Sequence, residues 1–103
     1  MWNSNQKIVP QNVVSDSDFS GIVTVATAGT PGSFPDVENV GGFYITADPS
    51  NSGTNVWVFH DGQTKASGFP IKSGQILHVP VIDLDSLDCD VETNGDKICW
   101  VKA

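Results

Sequence analysis

Apolar and polar residues alternate along several short segments of this chain, and turn-forming residues separate the segments. In the clearest one, Asn55–His60, Val56 and Val58 share one face while Trp57 and Phe59 share the other. Further strand segments are expected at 19–27, 43–47, 68–71, 75–82, 84–92 and 97–101, with weaker ones at 33–40 and 64–67. Segments spaced by roughly ten residues with turns between them predict an all-β fold of about seven to eight short antiparallel strands, a small, jelly-roll-like β-sandwich.

Two of these segments indicate their own position in a sheet. In 19–27 both faces carry apolar residues, with Ile22 on one and Val23 on the other, which favours a strand inside the sandwich. The segment 75–82 contains Pro80, which cannot donate a ladder hydrogen bond. That segment is therefore expected at an edge or at a bulge.

The composition favours strands over helices. The 103 residues include 27 Val, Ile and Thr but only 11 Leu, Ala, Met and Glu. Side chains branched at Cβ are stiff and fit a pleated, half-buried surface better than a helix. No α-helix is predicted, and this length accommodates one folded domain.

Residues 1–18 are expected to form an N-terminal arm, and residues 19–103 the β-sandwich domain. The arm is polar except for Trp2 and short apolar pairs at 8–9 and 13–14. We interpret it as a segment that becomes ordered on binding a partner. A frayed terminus is the alternative.

The last two segments are expected to pair as a hairpin, in one of two registers. A two-residue turn at 94–95 would place Cys89 opposite Trp100 and bury Ile98 and Trp100 in the core. A three-residue loop with a bulge would instead place Cys89 opposite Cys99, where a disulfide is geometrically feasible. Burial of the larger pair, at about 25 cal/mol per Å², favours the first register and two free thiols. The N-terminus lacks the pattern of a secretory signal, which agrees with a reducing compartment.

The charge and the hydropathy of the chain argue against two classes of partner. Five Lys, no Arg and twelve acidic residues give a net charge of −7. Phosphate contacts need clustered Lys and Arg, so nucleic acid is not expected as a partner. No run of about 18 apolar residues is present, so no membrane partner is expected either.

Half of the acidic residues lie within the run 83–96, which contains no Lys before residue 97. Clustered oxygen ligands suit calcium, and the run from Asp90 to Gly95 resembles the first half of an EF-hand loop. The twelfth position of that loop is Val101, where a bidentate Glu is required. We therefore expect a solvated acidic face and no metal site or cofactor.

The sequence offers little for catalysis. Only His60 and His78 are available as candidate general bases, and no nucleophile elbow, zinc or redox motif is present. Glycoside hydrolysis by the carboxylates of 83–96 is a remote third class, because so short a sandwich predicts no deep cleft. The chain is therefore expected not to be an enzyme.

The second half of the chain carries a resemblance to a known class of proteins. From Asn55 onward it resembles a recurrent ending in small virion proteins of tailed bacteriophages, whereas the first half resembles no family. The residues that carry the resemblance are Val56-Trp57-Val58-Phe59, Ser67-Gly68-Phe69-Pro70-Ile71-Lys72-Ser73-Gly74-Gln75, Leu84-Asp85-Ser86-Leu87 and Asn94-Gly95-Asp96-Lys97-Ile98-Cys99-Trp100.

This resemblance implies a non-enzymatic structural protein, a capsid decoration (cement) protein that binds the capsid exterior and stabilises it. Its implied partners are the major capsid protein and further copies of itself, as a trimer or dimer. Its implied location is the capsid surface of the virion, after assembly in the host cytoplasm. We expect contact with the capsid through Trp2, Lys7, Ile8 and Val9 in the arm and through Phe69, because Trp2 and Phe69 have polar or turn-forming neighbours.

The alternative function is a carbohydrate-binding or receptor-binding module of a phage tail or fibre. Exposed aromatic rings stack on sugars, and the middle of the chain is rich in them. Trp57 and Tyr44 are the candidate rings for this function.

Overall fold

The computed structural model describes residues 18–103, which form two four-stranded antiparallel sheets packed face to face. Sheet A has the strand order β1-β8-β3-β6, and sheet B the order β2-β7-β4-β5. The strands are β1 Ser20–Thr24, β2 Gly32–Ser33, β3 Phe43–Ala47, β4 Asn55–His60, β5 Phe69–Lys72, β6 Ile76–Val79, β7 Leu87–Val91 and β8 Lys97–Lys102.

The path of the chain is that of a jelly roll, and the predicted all-β sandwich is confirmed. Every connection crosses from one sheet to the other except the one between β4 and β5. The helical structure of the described residues consists of two single 3-10 turns, Lys65–Ser67 and Leu84–Ser86. The first turn replaces the weak strand expected at 64–67. No helix in this part of the chain is long and apolar enough to cross a bilayer.

Most of the expected N-terminal arm, with Trp2, Lys7, Ile8 and Val9, lies outside the described residues. The boundary proposed between arm and sandwich at residues 18 and 19 thus stays a prediction. The first strand of the sandwich begins at Ser20.

The core lies between the inner faces of the two sheets. Phe43 and Trp100 of sheet A meet edge to face, with 6.0 Å between their ring centroids. Burial of each such side chain contributes about 1.5–3 kcal/mol relative to exposure. The other strand residues of this core are Ile45, Ala47 and Ile98 in sheet A and Val56, Val58, Ile71, Leu87, Cys89 and Val91 in sheet B. Phe59 is also buried, on the opposite face of β4.

The expected terminal hairpin is wrong, because β7 and β8 belong to opposite sheets. β7 pairs with β2 and β4, and β8 pairs with β1 and β3, so neither proposed register exists. The predicted burial of Cys89, Ile98 and Trp100 is nevertheless correct. Alternation identifies the residues that face the core, but it cannot distinguish strands that pair from strands that face each other across the core.

The two edges of sheet A are β1 and β6. The edge position suggested by Pro80 is therefore confirmed for β6. The interior position expected for 19–27 is wrong, since β1 pairs with β8 on one side only and Ile22 is 60% exposed. The apolar residue on the outer face of β1 is an exposed side chain, not a buried one.

Both cysteines are free, and we expect very different reactivities from them. Cys89 is buried in the core, and burial together with the nearby charges of Asp88 and Asp90 raises its pKa to about 12. Cys99 lies on the outer face of sheet A. Partial burial raises its pKa as well, and the nearby Asp48 carboxylate raises it further by a smaller amount. At pH 8 the folded protein should react slowly with Ellman's reagent, and mainly at Cys99.

Denaturation without a reducing agent should expose two titratable thiols per chain. Because Cys89 faces the core from sheet B and Cys99 lies on the outer face of sheet A, a titration that finds no thiol would contradict the arrangement of β7 and β8. Cys99→Ser is the matched control: it should abolish the slow native reaction and leave one thiol in denaturant.

Candidate protein interface

A cleft of about 520 Å³ opens along one side of the sandwich, where β5 at the edge of sheet B turns into β6 at the edge of sheet A. The turn between the strands crosses from one sheet to the other, with Gly74 at a φ of +87° that favours glycine. The cleft is lined by Phe69, Pro70, Ile71, Lys72, Gln75, Ile76 and Leu77. Lys72 is the one charged residue in this lining.

Phe69 is the most unusual residue of the β5–β6 cleft. It pairs with Val58 and therefore lies on the core side of sheet B, yet it is 58% exposed. Ile71, two residues further on the same face, is fully buried. The core side of sheet B is thus open to solvent at Phe69, where the cleft begins. The exposure expected for this residue from its turn-forming neighbours is confirmed, whereas its role in capsid contact stays a prediction.

Ile76 forms the other exposed rim of the cleft and is 71% exposed. Ile76 is not among the contact residues expected from the sequence. Its signal was available, however, because Ile76 shares a face of its strand with His78 and Pro80, opposite the apolar Leu77 and Val79. An apolar side chain on the polar face of an edge strand is a candidate for contact with a partner.

Hydrogen bonds hold the turn of the cleft in one conformation. The Ser73 amide donates to the Thr54 carbonyl at 3.1 Å, and the Gln75 amide donates to the Lys72 carbonyl at 3.0 Å. The side-chain oxygen of Gln75 accepts from the Lys72 amide at 2.9 Å, and its backbone carbonyl accepts from the Thr46 hydroxyl at 2.6 Å. The rims of the cleft are therefore positioned before any partner arrives.

The loop 48–54, to which this turn is bonded, is itself held by two carboxylates. Oε1 of Glu92 accepts from the amides of Thr54 at 2.6 Å and Asn55 at 3.3 Å. The buried Asp96 carboxylate accepts from the amides at positions 52 and 53, both at 2.9 Å. The hydrogen bonds from Thr54, and then from Asn55, lower the pKa of Glu92.

Two further residues tighten this loop against β8. The Asn51 side chain donates to the Lys97 carbonyl at 2.8 Å and accepts from the Lys97 amide at 2.7 Å, as a neighbouring strand would. Gly53 lies so close to Glu92 that an added Cβ would approach the Glu92 Cβ to 2.7 Å. Only glycine fits at this contact without displacement of the loop.

The acidic run 83–96 is therefore not the solvated face that we expected. Asp90 and Asp96 are buried, although Asp83, Asp85 and Glu92 are exposed. Oδ1 of Asp90 accepts from the amides of Gly29 at 3.0 Å and Val91 at 2.7 Å. The prediction failed for Asp90 and Asp96 because β7 and β8 belong to opposite sheets. In this arrangement the two carboxylates contact loop amides that would lie elsewhere if β7 and β8 formed a hairpin.

Asp83 and Asp85 belong to a second acidic cluster at the opposite end of the sandwich. Glu38 forms an antiparallel bridge with Asp83, and Asp36 and Asp85 lie near it. Repulsion by Asp83, with smaller contributions from Asp36 and Asp85, raises the pKa of Glu38. Among the described residues, no group of three or more His, Cys, Asp or Glu is arranged to hold a metal ion.

The structure does not bring the two histidines together. Nδ1 of His60 lies 2.9 Å from the Asp61 carbonyl in sheet B. In sheet A, Nε2 of His78 lies 3.0 Å from the Gly41 carbonyl, and its ring packs against Tyr44 with 5.2 Å between centroids. Neither geometry forms a nucleophile–base pair.

Of the two rings considered for sugar stacking, Tyr44 is the more open. The Lys65 ammonium lies over the half-buried Trp57 ring, 5.2 Å from its centroid, so this face of the ring is occupied. Tyr44 is 45% exposed on the outer face of sheet A.

Comparison with known proteins identifies no relative: no family model, curated protein or solved structure matches this chain.

The opposite pKa shifts of Glu92 and Glu38 predict opposite effects of their replacement by glutamine. The lowered pKa of Glu92 means that its carboxylate stabilises the fold above the usual pKa near 4.5, and that this contribution is lost as the pH falls through the lowered value. Glu92→Gln should reduce the melting temperature at pH 7. Below pH 4.5 the melting temperature of this variant should fall less steeply with decreasing pH than that of the parent.

Glu38→Gln is the matched control, because the raised pKa of Glu38 means that protonation favours the folded state. This variant should melt no lower than the parent at pH 7, and its decline in acid should be steeper, since the gain from protonating Glu38 is removed. Thermal melts by circular dichroism between pH 7 and 3 measure both. Equal pH profiles for the two variants would contradict the assignment.

Proposed function

We propose that this chain is a non-enzymatic structural protein of a tailed bacteriophage that binds the exterior of the capsid as a decoration protein. The observation that carries the docking role is Phe69, an aromatic side chain on the core side of sheet B that is left 58% exposed. The resemblance of the second half of the chain to small virion proteins supports the choice of a capsid as partner.

The geometry of the β5–β6 cleft supports a protein partner. Large aromatic side chains in apolar surroundings contribute strongly to protein interfaces. Phe69 and Ile76 provide apolar rims, and the turn between their strands is already held by hydrogen bonds. A partner that inserts an apolar side chain into the cleft would cover Phe69. Because the turn is already ordered, binding would not carry the entropic cost of ordering it.

The charge distribution supports approach to a basic surface. The chain has a net charge of −7, and the cluster around Glu38 and Asp83 is exposed at one end of the sandwich. Opposite charges on a capsid surface would accelerate docking, and the rate would fall with added salt. The cleft then supplies contacts that do not depend on salt.

Replacement of Phe69 tests this function directly. We expect Phe69→Ser to weaken binding to the capsid by about tenfold to a hundredfold, the loss that corresponds to one buried aromatic side chain. Co-sedimentation with DNA-free capsids of the phage that encodes this chain measures the binding. Val40→Ser is the matched control, because Val40 is 91% exposed away from the cleft and its replacement should leave binding unchanged.

Two results would overturn the proposal. The first is an absence of co-sedimentation of the unmodified chain with the capsid. The second is an equal loss of binding in both variants. Retention on a glycan array that is lost in Tyr44→Ala, with no capsid binding, would instead support the carbohydrate-binding alternative.

The expected N-terminal arm has a separate test. Deletion of residues 2–14, which removes Trp2, Lys7, Ile8 and Val9, should abolish capsid binding while the sandwich keeps its circular dichroism spectrum. Unchanged binding would refute the contact role of the arm and leave the cleft as the docking surface.

A further inference from the structure

We infer that the open edge of β1 is a docking site for an additional antiparallel strand, and that its occupant is residues 9–13 of the same chain. These residues precede the described part of the chain, which begins at residue 18. The site lies away from the β5–β6 cleft, because β1 and β6 are the two opposite edges of sheet A. The inference therefore does not rest on the proposed function.

The first argument is the direction in which the backbone groups of β1 point. Just before β1, the Lys102 amide donates to the Phe19 carbonyl at 2.9 Å, and just after it the Val25 amide donates to the Asp96 carbonyl at 3.0 Å. Bonded and non-bonded positions alternate along an antiparallel pair, so the odd-numbered residues of β1 direct their backbone groups to β8. The even-numbered residues direct theirs away from β8, and nothing within residues 18–103 bonds to those groups. These residues are Ser20, Ile22 and Thr24.

The second argument is that the other three edges of the sandwich offer fewer backbone groups. β2 has only two residues. In β5 one outward position is Pro70, which has no amide hydrogen, and the other is Lys72, whose amide donates to the Gln75 side chain at 2.9 Å. β6 has four residues and is followed by Pro80. Such features protect edge strands that stay unpaired, whereas β1 has five residues with neither proline nor charge.

The third argument is the place where residues 1–17 join the sandwich. The chain turns at Asp18 and bends at Phe19, directly before β1. The three preceding residues are Ser, Asp and Ser, which favour turns. Because β8 occupies one side of β1, a chain that reverses direction here can return beside β1 only along the open edge. The two strands then form a hairpin, which has the small loop-closure cost of a short connection.

The composition and charge of the segment also fit this edge. Ile8, Val9, Val13 and Val14 are branched at Cβ, as strand residues commonly are. Residues 1–15 contain one Lys and no acidic residue, so they carry +1, and residues 16–103 carry −8. Opposite charges attract the segment to its own sandwich, and β1 contributes no charge that would oppose the contact.

Pro10 determines which side of the segment faces β1. Proline has no amide hydrogen to donate, so Pro10 must lie opposite an odd-numbered residue of β1, whose backbone groups already point to β8. Val9, Gln11 and Val13 then direct their backbone groups to β1 and place their side chains on the same face of sheet A as Ile22. Ile22 is 60% exposed on that face, and the two valines would cover it.

Amide hydrogen exchange, measured by NMR on the full chain, tests this pairing. The Ile22 and Thr24 amides should exchange at least about tenfold more slowly than in a chain that lacks residues 2–14, because pairing removes them from solvent. The Gly21 and Val23 amides, which face β8, are the internal reference: their protection shows that the sandwich is folded in both chains.

Gln11→Pro and Asn12→Pro are a matched pair of variants. Gln11→Pro removes an amide that faces β1, so exchange at Ile22 should accelerate by about tenfold or more. Asn12→Pro makes the same change at a position that faces away from β1, where an edge strand tolerates proline, and should leave Ile22 protected.

Several results would overturn the inference. One is an Ile22 amide that exchanges as fast in the full chain as in the shortened one, and another is an equal effect of the two proline variants. Protection that is lost on dilution would show that the strand comes from another molecule, and protection that appears only after DNA-free capsids are added would assign the edge to a capsid protein. Protection in a chain that does not co-sediment with capsids would support the inference while the proposed function fails.

Discussion

Carboxylate oxygens that accept hydrogen bonds from loop amides are the interaction on which this sandwich depends. In a jelly roll nearly every connection crosses from one sheet to the other, so its amides have no strand to pair with. Asp90, Asp96 and Glu92 accept from those amides at one end of the molecule. The acidic residues of the run 83–96 are therefore partly structural, and removal of a buried carboxylate would leave amides without partners.

These carboxylates also determine where the molecule can meet a partner. They fix the loop 48–54, and Thr54 of that loop fixes the turn after β5. The edge strands β5 and β6 consequently diverge in one defined way and leave Phe69 uncovered. Acidic side chains lie at both ends of the sandwich. The surfaces that can make apolar contacts are therefore the β5–β6 cleft, on one side of the sandwich, and the outer face of sheet A.

The sequence was sufficient to predict the class of fold and several of its strands. The bounds of β3 and β4 follow from local alternation and from the turn residues beside them, which act over a few residues. Pairing between strands depends on contacts distant in sequence, and there the predictions failed. Asn94-Gly95 favours a hairpin locally, yet the chain uses this turn to cross between sheets.

The candidate site divides in the same way. Phe69 was expected to be exposed because its neighbours form turns, a local property. The exposure of Ile76 follows from the alternation within its own strand, whereas the cover of Lys65 over Trp57 and the burial of Asp90 arise from elements that meet only in the folded molecule. No pattern within one segment carries that information.

The position of β8 has a consequence for the order in which the molecule is made. β8 lies between β1 and β3, so sheet A has no continuous ladder until the last strand of the sandwich joins it. On the ribosome, β1 and β3 leave the exit tunnel long before their common neighbour is synthesised. Each sheet gains one pair early, β4–β5 in sheet B and β3–β6 in sheet A. Sheet A closes only when β8 joins it, through contacts of long sequence separation, which are the slow ones. During synthesis the nascent chain thus carries exposed, unpaired strands that need protection from aggregation until residue 102 has emerged.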